Sequence, residues 1–407
     1  MVDVGEAPPP ADVGVRPAVL GAPRYALEAS RSRLRMLVVL IALLGYGGYA
    51  AGTIASEGAA SFAHVGSGIS QTDGASPELN ARFHAVAGLG YDGQFAYAIA
   101  LDPSRARGYM DLPAYRYSHI AYPLLARSVA FGQPRWVAGA LILVNLVAVV
   151  GGAAIVATLL GRRGVNPLFA LLYVGFPGLM LSFADDLCEP VAFAFVGLGL
   201  LLLDDWRSPN RVMLAGASFA LAGLTRETTL LIPVILALTH ALARSRPGGV
   251  RRAAALVALT TVPYMAWRLF LLAWLGGTGA TPMTTVDALP FGGLRGSIDL
   301  WPFLAVAVPT GLLLAATLPT LAASWRQGTT VALTASLVAL GLYLPAETYY
   351  EYRGAGRLQI GTVMLALLAI SSLRGNRWTS LLARTGASFA YLPLLPLLAA
   401  AMHKLGG

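Results

Sequence analysis

Long apolar runs separated by short polar loops constrain this chain more than any other feature of its sequence. Only 12% of the 407 residues are charged and the mean hydropathy is +0.65, whereas a soluble domain carries about a quarter charged residues. Because roughly 20 apolar residues cross a bilayer as one helix, the pattern excludes a soluble multidomain protein and predicts an all-α polytopic membrane protein with about 11 transmembrane helices. The predicted spans lie at about residues 34–54, 136–160, 166–183, 188–203, 211–225, 228–243, 251–275, 302–323, 329–346, 357–373 and 379–401.

The basic residues lie largely in the short loops between these runs. The formal charge is +9, and Lys404 is the single lysine among many arginines. The arginines favour alternate loops, as the positive-inside rule requires of cytoplasmic loops, so the charge indicates orientation and no nucleic-acid partner. Scarce lysine beside abundant arginine and alanine indicates a GC-rich bacterial source. We therefore expect a multi-pass protein of the bacterial inner membrane with a cytoplasmic N-terminus. The single cysteine, Cys188, excludes a disulfide framework and multi-cysteine metal sites.

The chain divides into a tail, one long loop and the membrane domain around that loop. Residues 1–33 are rich in proline, alanine and glycine, and we predict a disordered cytoplasmic tail there. Residues 34–407 form the predicted membrane domain. Residues 55–135 form its first extracytoplasmic loop, which is far longer than a simple connection and therefore indicates function.

Two helices are predicted within this loop. Tyr91, Phe95 and Ile99 form one stripe of a helix that is expected to lie on the membrane surface. A second helix is predicted to run from about residue 115 to 127, with Pro113 before it and Pro123 interrupting or redirecting it.

A charged pair interrupts the apolar run at 212–243. One helix over this run would be very long, so we predict two short helices that meet at a turn containing Arg226 and Glu227. Ionisable groups below a membrane surface are costly and usually functional. The alternative is that Arg226 extends to the lipid headgroups.

Two segments of the loop carry a resemblance to a known class of enzymes. Residues 91–97, YDGQFAY, and residues 115–123, YRYSHIAYP, resemble bacterial polytopic glycosyltransferases of the GT-C class, and more narrowly mannosyltransferase-like proteins of cell-surface glycopolymer assembly. That class has a first span, a large outer loop with juxtamembrane helices and an early acidic residue, and then many further spans. The resemblance is sharpest over about residues 84–125 and implies a GT-C-like bundle.

The resemblance implies transfer of a sugar from a polyprenyl-phosphate carrier to a cell-envelope lipid or glycan, outside the cytoplasm and with inversion. Mannose is suggested by the resemblance alone. Such a transfer needs a base for the acceptor hydroxyl and positive charge on the departing phosphate. Asp92 corresponds to the early loop acid and is the predicted base. The alternatives are that Asp92 caps the helix carrying Phe95, and that His84 serves as the base.

Further side chains are assigned to the donor and the acceptor. Arginine suits phosphate because its planar fork matches the phosphate oxygens. The alternatives are that these side chains are ordinary loop residues or belong to an interfacial aromatic belt. The predicted phosphate ligands are Arg116, His119, Arg226, Arg353 and Arg357. The predicted sugar or acceptor ligands are Tyr91, Gln94, Glu227, Glu347, Tyr350 and Glu351.

An acidic turn is a candidate metal site. Asp185, Asp186 and Glu189 lie within five residues and could hold Mg²⁺ or Mn²⁺ through oxygen ligands, although no fixed ligand spacing is matched and a solvated acidic turn is the alternative.

Two other functions are alternatives to the transferase. No glycine-rich dinucleotide or P-loop motif occurs, which favours a lipid-linked donor reached from the bilayer. A secondary transporter or lipid-linked glycan flippase is the main alternative, but no internal repeat is evident and the long loop would be unexplained. A non-catalytic scaffold is the third hypothesis.

Overall fold

The computed structural model describes residues 24–67, 88–242, 248–277, 303–324, 359–371 and 377–392, together with residues 289, 292, 354, 356, 357, 394 and 395. Within these ranges all regular structure is helical, and an isolated bridge pairs Val65 with Gly90. The all-α prediction is therefore confirmed for the described part of the chain.

The α-helices alternate along the chain with short helical turns. The α-helices are α1 (Arg24–Glu57), α2 (Gly93–Leu101), α3 (Pro113–Arg116), α4 (Ala121–Val129), α5 (Pro134–Arg162), α6 (Ala170–Val174), α7 (Pro177–Ala184), α8 (Glu189–Leu202), α9 (Pro209–Thr225), α10 (Leu231–Leu242), α11 (Gly249–Leu275), α12 (Val308–Ser324), α13 (Ile360–Ile370) and α14 (Arg377–Phe389). Turns of 3-10 helix lie at Ala59–Ala63, Ala106–Tyr109, Tyr117–His119, Pro167–Phe169 and Glu227–Leu230, and a π-helical turn at Phe303–Ala307.

Three helices are long and apolar enough to cross a membrane. They are Ser30–Glu57 within α1, Pro134–Arg162 and Gly249–Leu275. The pair Pro167–Val174 and Pro177–Ala184, bent by 52°, makes a fourth span if the two parts are counted together. These lengths and compositions fit a helical membrane protein.

The prediction of about 11 spans is not supported by the described residues. Several predicted runs form helices of 8 to 17 residues, shorter than the roughly 20 residues that cross the hydrocarbon core. Hydropathy marks where apolar residues accumulate, but a new helix that begins at Pro177 divides the run at 166–183 into shorter helices. The run at 329–346 lies outside the described residues, as does the end of the run at 379–401.

The predicted tail is helical where it is described. Helix α1 begins at Arg24, so the prediction of disorder is wrong for residues 24–33, while residues 1–23 lie outside the described part. Residues 26–36 are mostly good helix formers such as alanine, leucine, glutamate and arginine. The Arg31 guanidinium also donates to the Gly161 carbonyl at 3.4 Å, near the end of α5.

The break predicted in the 212–243 run is confirmed. Helix α9 ends at Thr225, and Arg226 adopts an extended conformation with φ −152° and ψ 110°. A 3-10 turn over Glu227–Leu230 then leads into α10. The sharp change of direction places Arg226 and Glu227 at the meeting point of two apolar helices.

The first loop helix packs against protein. Ile99 is 1% exposed and belongs to a buried cluster that α2 shares with α4 and α5, including Tyr97, Tyr122 and Leu141. The predicted helix is therefore confirmed, and its position at a membrane surface stays a prediction. Periodicity identifies an apolar stripe without identifying what covers it.

The second loop helix is divided as its prolines predict. Pro113 occupies the first turn of α3, where a missing N–H costs no helical bond. A 3-10 turn over Tyr117–His119 follows, and α4 then begins at Ala121. Pro123 lies in the first turn of α4 and is tolerated for the same reason.

Candidate active site

One open cleft, with a cavity volume of about 40 Å³, lies where the loop helices meet the broken helices. Its wall combines the start of α2, the segment from α3 to α4, the turn before α8 and the break between α9 and α10. The predicted candidates Tyr91, Gln94, Asp185 and Glu227 lie in the described part of the chain but do not line this cavity. The ionisable lining side chains include Asp92, Arg116, His119, Asp186, Glu189, Arg226 and Arg357.

Asp92 is held between two arginines. Its Oδ1 accepts from Arg116 Nη1 at 3.0 Å, and its Oδ2 accepts from Arg357 Nη1 at 2.6 Å. Asp92 precedes α2 but makes no side-chain capping bond, so the capping alternative is wrong. Burial alone would raise the pKa of Asp92, but the guanidinium groups of Arg357 and Arg116 outweigh burial and hold that pKa well below its usual range.

This ion pairing predicts an acid-dependent loss of stability. Because the folded-state pKa of Asp92 lies below the unfolded value of about 3.9, the carboxylate stabilises the fold fully above that value and progressively less as the pH falls through the folded pKa. We expect the thermal midpoint of the wild type to fall between pH 5 and pH 3 by more than that of Asp92→Asn. Thermal unfolding in detergent at both pH values measures this, and equal falls in the two proteins would contradict it.

The two residues after Asp92 position the loop. A side chain at Gly93 would overlap the backbone carbonyl of Asp185, so glycine allows α2 to start against the acidic turn. Gln94 is 5% exposed, accepts from the Gly66 N–H at 3.0 Å and donates to the Leu89 carbonyl at 3.1 Å. Gln94 therefore fixes the backbone, and its predicted role as a sugar ligand does not agree with this placement.

Arg116 is shared between two carboxylates. Asp111 accepts hydrogen bonds from Arg116 Nε at 2.9 Å and from Arg116 Nη2 at 2.8 Å, which leaves Arg116 Nη1 to bond Asp92. The Phe95 ring lies 3.9 Å below the guanidinium carbon. Neither Asp111 nor Phe95 was predicted from the sequence as a partner of Arg116. Phe95 was in the motif, but its stripe suggested a lipid contact and not a cation–π contact.

Arg226 is a buried cation without a hydrogen bond to its side chain in the described part of the chain. The residue is 9% exposed, its Nε has no hydrogen-bond partner, and its nearest carboxylate oxygen, on Glu189, lies 3.8 Å from Nη1. Its burial argues against the alternative in which the side chain extends to the headgroups. A buried unpaired donor is costly, so such a group requires an explanation.

Arg357 reaches the cavity because the backbone just before it lies close to α7. Its Nε lies 3.9 Å from Glu189 and lacks a hydrogen-bond partner, while its Nη1 bonds Asp92. A side chain at Gly178, in the first turn of α7, would overlap the backbone carbonyl of Gly356. Glycine at 178 thus lets the segment before α13 approach α7 and sets the position of Arg357.

Filling this contact is expected to displace Arg357. Gly178→Ala should lower stability by about 1–3 kcal/mol through overpacking and should reduce any activity of the cavity by on the order of 100-fold through misplacement of Arg357. The matched control is Gly139→Ala on α5, where an added Cβ meets nothing within 4 Å. Thermal unfolding and turnover of both variants provide the measurement. Equal behaviour of the two variants would contradict the positioning role of Gly178.

His119 and Glu227 form a second pair at the cavity. His119 Nε2 lies 2.7 Å from Glu227 Oε2, and the Tyr115 ring packs edge-on against the imidazole with centroids 5.0 Å apart. Glu227 therefore faces His119 and not its neighbour Arg226, because adjacent side chains diverge. The sequence predicted Glu227 as a sugar ligand or a partner of Arg226 and did not pair it with His119.

The acidic turn does not converge as a metal site would require. Asp185 Oδ1 lies 3.1 Å from His64 Nε2. Asp186, at φ 54°, instead accepts from the Tyr122 hydroxyl at 2.5 Å and from Asn145 Nδ2 at 3.2 Å. Glu189 faces the two cavity arginines. The described residues contain no group of three or more potential ligands for a metal ion.

The remaining predicted residues are divided between the cavity edge and the undescribed segments. Tyr91 lies beside the site, with its ring 5.7 Å from the Arg357 guanidinium carbon, and burial raises its pKa to about 12. Glu347, Tyr350, Glu351, Arg353 and His84 lie outside the described residues.

Comparison of the chain with protein-family models, with curated proteins and with solved structures gives no match. The residues of the cavity and the resemblance of the two loop segments are therefore the basis for assigning a function.

Proposed function

We propose that the protein transfers a sugar from a polyprenyl-phosphate carrier to a cell-envelope lipid or glycan acceptor, with inversion, at the extracytoplasmic face of a bacterial inner membrane. The observation that carries the proposal is the buried Arg226 guanidinium, which faces a cavity without a hydrogen-bond partner for its Nε. The finer proposal is a GT-C-like membrane glycosyltransferase, with mannose as the first sugar to test.

The chemistry of the cavity favours a phosphate ligand. Arg226 and Arg357 each keep a buried Nε donor unused, and Arg116 stands opposite Arg357 across Asp92. A buried donor without a hydrogen bond costs about 1–3 kcal/mol, and more when it belongs to a charged group. Guanidinium groups bind phosphate oxygens in a planar, charge-assisted geometry, so a phosphodiester would satisfy these donors together.

The surroundings favour a lipid-linked donor. The cavity opens beside the ends of the apolar helices α8, α9 and α10, so a phosphate held there can keep its polyprenyl chain among apolar side chains or lipid. The sequence has no nucleotide-binding glycine motif. A sugar attached to a membrane carrier is therefore the donor that best suits this position.

Asp92 is proposed as the base, and donor binding would free its carboxylate from the two arginines. Both of its oxygens accept arginine bonds, and an incoming phosphate competes for the same guanidinium groups. When those groups turn to the phosphate, Asp92 loses its cationic partners and becomes more basic. It can then take the proton of the acceptor hydroxyl as that oxygen attacks the anomeric carbon.

A divalent cation does not fit the described carboxylates in their present arrangement. Asp185, Asp186 and Glu189 each face a different partner, so they would have to rearrange before sharing one ion. The proposed mechanism routes no step through a metal.

The test of this function is transfer of a labelled sugar. Purified protein is incubated with radiolabelled polyprenyl-phosphate-mannose, and in parallel with other lipid-linked sugars, in the presence of a crude envelope-lipid extract. Label that passes from the carrier to a new lipid or glycan supports the proposal. Absence of transfer from every donor, by protein shown to be folded, would overturn it, and a vesicle flux assay would then test transport.

A further inference from the structure

His119 and Glu227 form an ion pair whose second imidazole nitrogen is unused. Glu227 Oε2 lies 2.7 Å from His119 Nε2, and no hydrogen bond to Nδ1 occurs within the described part of the chain. His119 lines the same cavity as Asp92, Arg226 and Arg357. A carboxylate at hydrogen-bond distance from one nitrogen fixes the orientation of the ring.

We propose that His119, held by Glu227, is the general acid that protonates the departing phosphate of the lipid-linked donor. This inference rests on the proposed function and adds a catalytic residue to it. Asp92 and His119 then divide the two proton transfers between one anionic and one cationic group.

Atoms and electrons balance in this step. The acceptor oxygen forms its bond to the anomeric carbon while its proton passes to Asp92. The bond between the anomeric carbon and the phosphate oxygen breaks, and its electron pair stays on that oxygen. The proton on His119 Nδ1 passes to a phosphate oxygen and leaves polyprenyl phosphate as the monoanion. Solvent then takes the proton from Asp92 and reprotonates His119, so no net charge accumulates.

The match of acidities favours proton donation over simple electrostatic attraction. Histidine titrates near neutral pH, and the second ionisation of a phosphate monoester has a pKa of about 6. Proton transfer between groups of similar acidity is efficient in general acid catalysis. Arginine cannot perform this step because it does not lose its proton in proteins.

The environment of His119 contains other ionisable groups that affect its titration. Tyr115 on α3 packs against the ring, and Asp92, Arg116, Asp186, Glu189 and Arg226 line the same cavity. On the neighbouring α11, Arg268 donates to the Tyr264 hydroxyl at 3.2 Å. Glu227 is nevertheless the group that bonds the ring directly, so its removal should have the clearest effect on the titration.

The experiment compares the pH dependence of kcat for the wild type, His119→Asn and Glu227→Gln with the labelled donor. We expect wild-type kcat to fall at alkaline pH as the acid loses its proton. His119→Asn should lower kcat at neutral pH by about 100-fold and remove the alkaline fall. Glu227→Gln should move that fall to lower pH by about one unit, because the imidazolium loses its carboxylate partner.

A control separates this role from a general effect of removing a histidine. His64 also pairs with a carboxylate, Asp185, but it does not line the cavity, and asparagine tolerates its positive φ of 44°. His64→Asn should keep the alkaline fall at the wild-type pH.

Two outcomes would overturn the inference. An alkaline fall that persists unchanged in both His119→Asn and Glu227→Gln would overturn it. A raised KM for the donor with unchanged kcat in His119→Asn would also overturn it, because that result describes a phosphate-binding cation only. If the wild type transfers no sugar at any pH, the proposed function itself fails. If His119→Asn does not fold, the shift in Glu227→Gln still decides the inference.

Discussion

Replacing Arg226 with glutamine is expected to abolish sugar transfer without destabilising the protein. The guanidinium is buried, its Nε has no hydrogen-bond partner, and Glu189 is 3.8 Å away. Loss of one charge-stabilising donor from an active site costs on the order of 100- to 1,000-fold in turnover. The free energy of unfolding should change by no more than about 2 kcal/mol, since the lost ion pair with Glu189 is long and the unused Nε donor is removed with it.

A large loss of activity with little change in stability makes this prediction specific. Glu189 keeps Arg357 at 3.9 Å in the variant, so it is not left without a cation nearby. The matched control is Arg162→Gln, which removes an exposed arginine paired with Asp204 at 2.7 Å and should change neither quantity appreciably. Chemical or thermal unfolding and labelled-sugar transfer are measured on all three proteins. A loss of stability above about 2 kcal/mol in Arg226→Gln would show that the arginine supports the fold instead of a ligand.

Replacing Asp92 with asparagine is expected to reduce turnover by about 1,000-fold while keeping or strengthening donor binding. Asparagine cannot accept the proton of the acceptor hydroxyl, and loss of a general base costs 100- to 10,000-fold as an order of magnitude. Because Asp92 competes with the donor phosphate for Arg116 and Arg357, its neutralisation frees both arginines for the phosphate. Turnover and the dissociation constant for polyprenyl phosphate are the two measurements.

Asp111 supplies the matched control for Asp92. It bonds the same Arg116 through two hydrogen bonds but does not line the cavity, and 48% of its side chain is exposed. Asp111→Asn should keep most of the wild-type turnover, because an exposed ion pair contributes about 0–1 kcal/mol. Equal losses in the two variants would contradict the assignment of the base to Asp92.

Local features of the fold were predictable from the sequence where a single strong constraint acted. Arg226 and Glu227 in the middle of an apolar run predicted the break between α9 and α10, because one continuous helix over that run would be very long. Pro113 and Pro123 predicted the division of the second loop helix. The number of spans was not predictable in this way, since hydropathy records apolar content and not where Pro177 begins a new helix.

The members of the cavity were partly predictable, but their pairing was not. Charge and the resemblance identified Asp92, Arg116, His119, Arg226 and Arg357 as candidates. Pairing depends on contacts between residues far apart in the chain, such as His119 with Glu227, and one sequence contains no record of such contacts. Gln94 was predicted as a ligand because it is a polar residue in the motif. Its side chain instead bonds the backbone at Gly66 and Leu89.

The most direct test of the central claim, that this cavity binds the phosphate of a lipid carrier, compares two ligands that differ only in that phosphate. Equilibrium binding of polyprenyl phosphate and of the matching polyprenol is measured for the wild type and for Arg226→Gln. We predict that the wild type binds the phosphate form at least about 100-fold more tightly, a difference of about 2.7 kcal/mol, and that Arg226→Gln loses most of this preference. Equal binding of the two ligands by the wild type would contradict the claim.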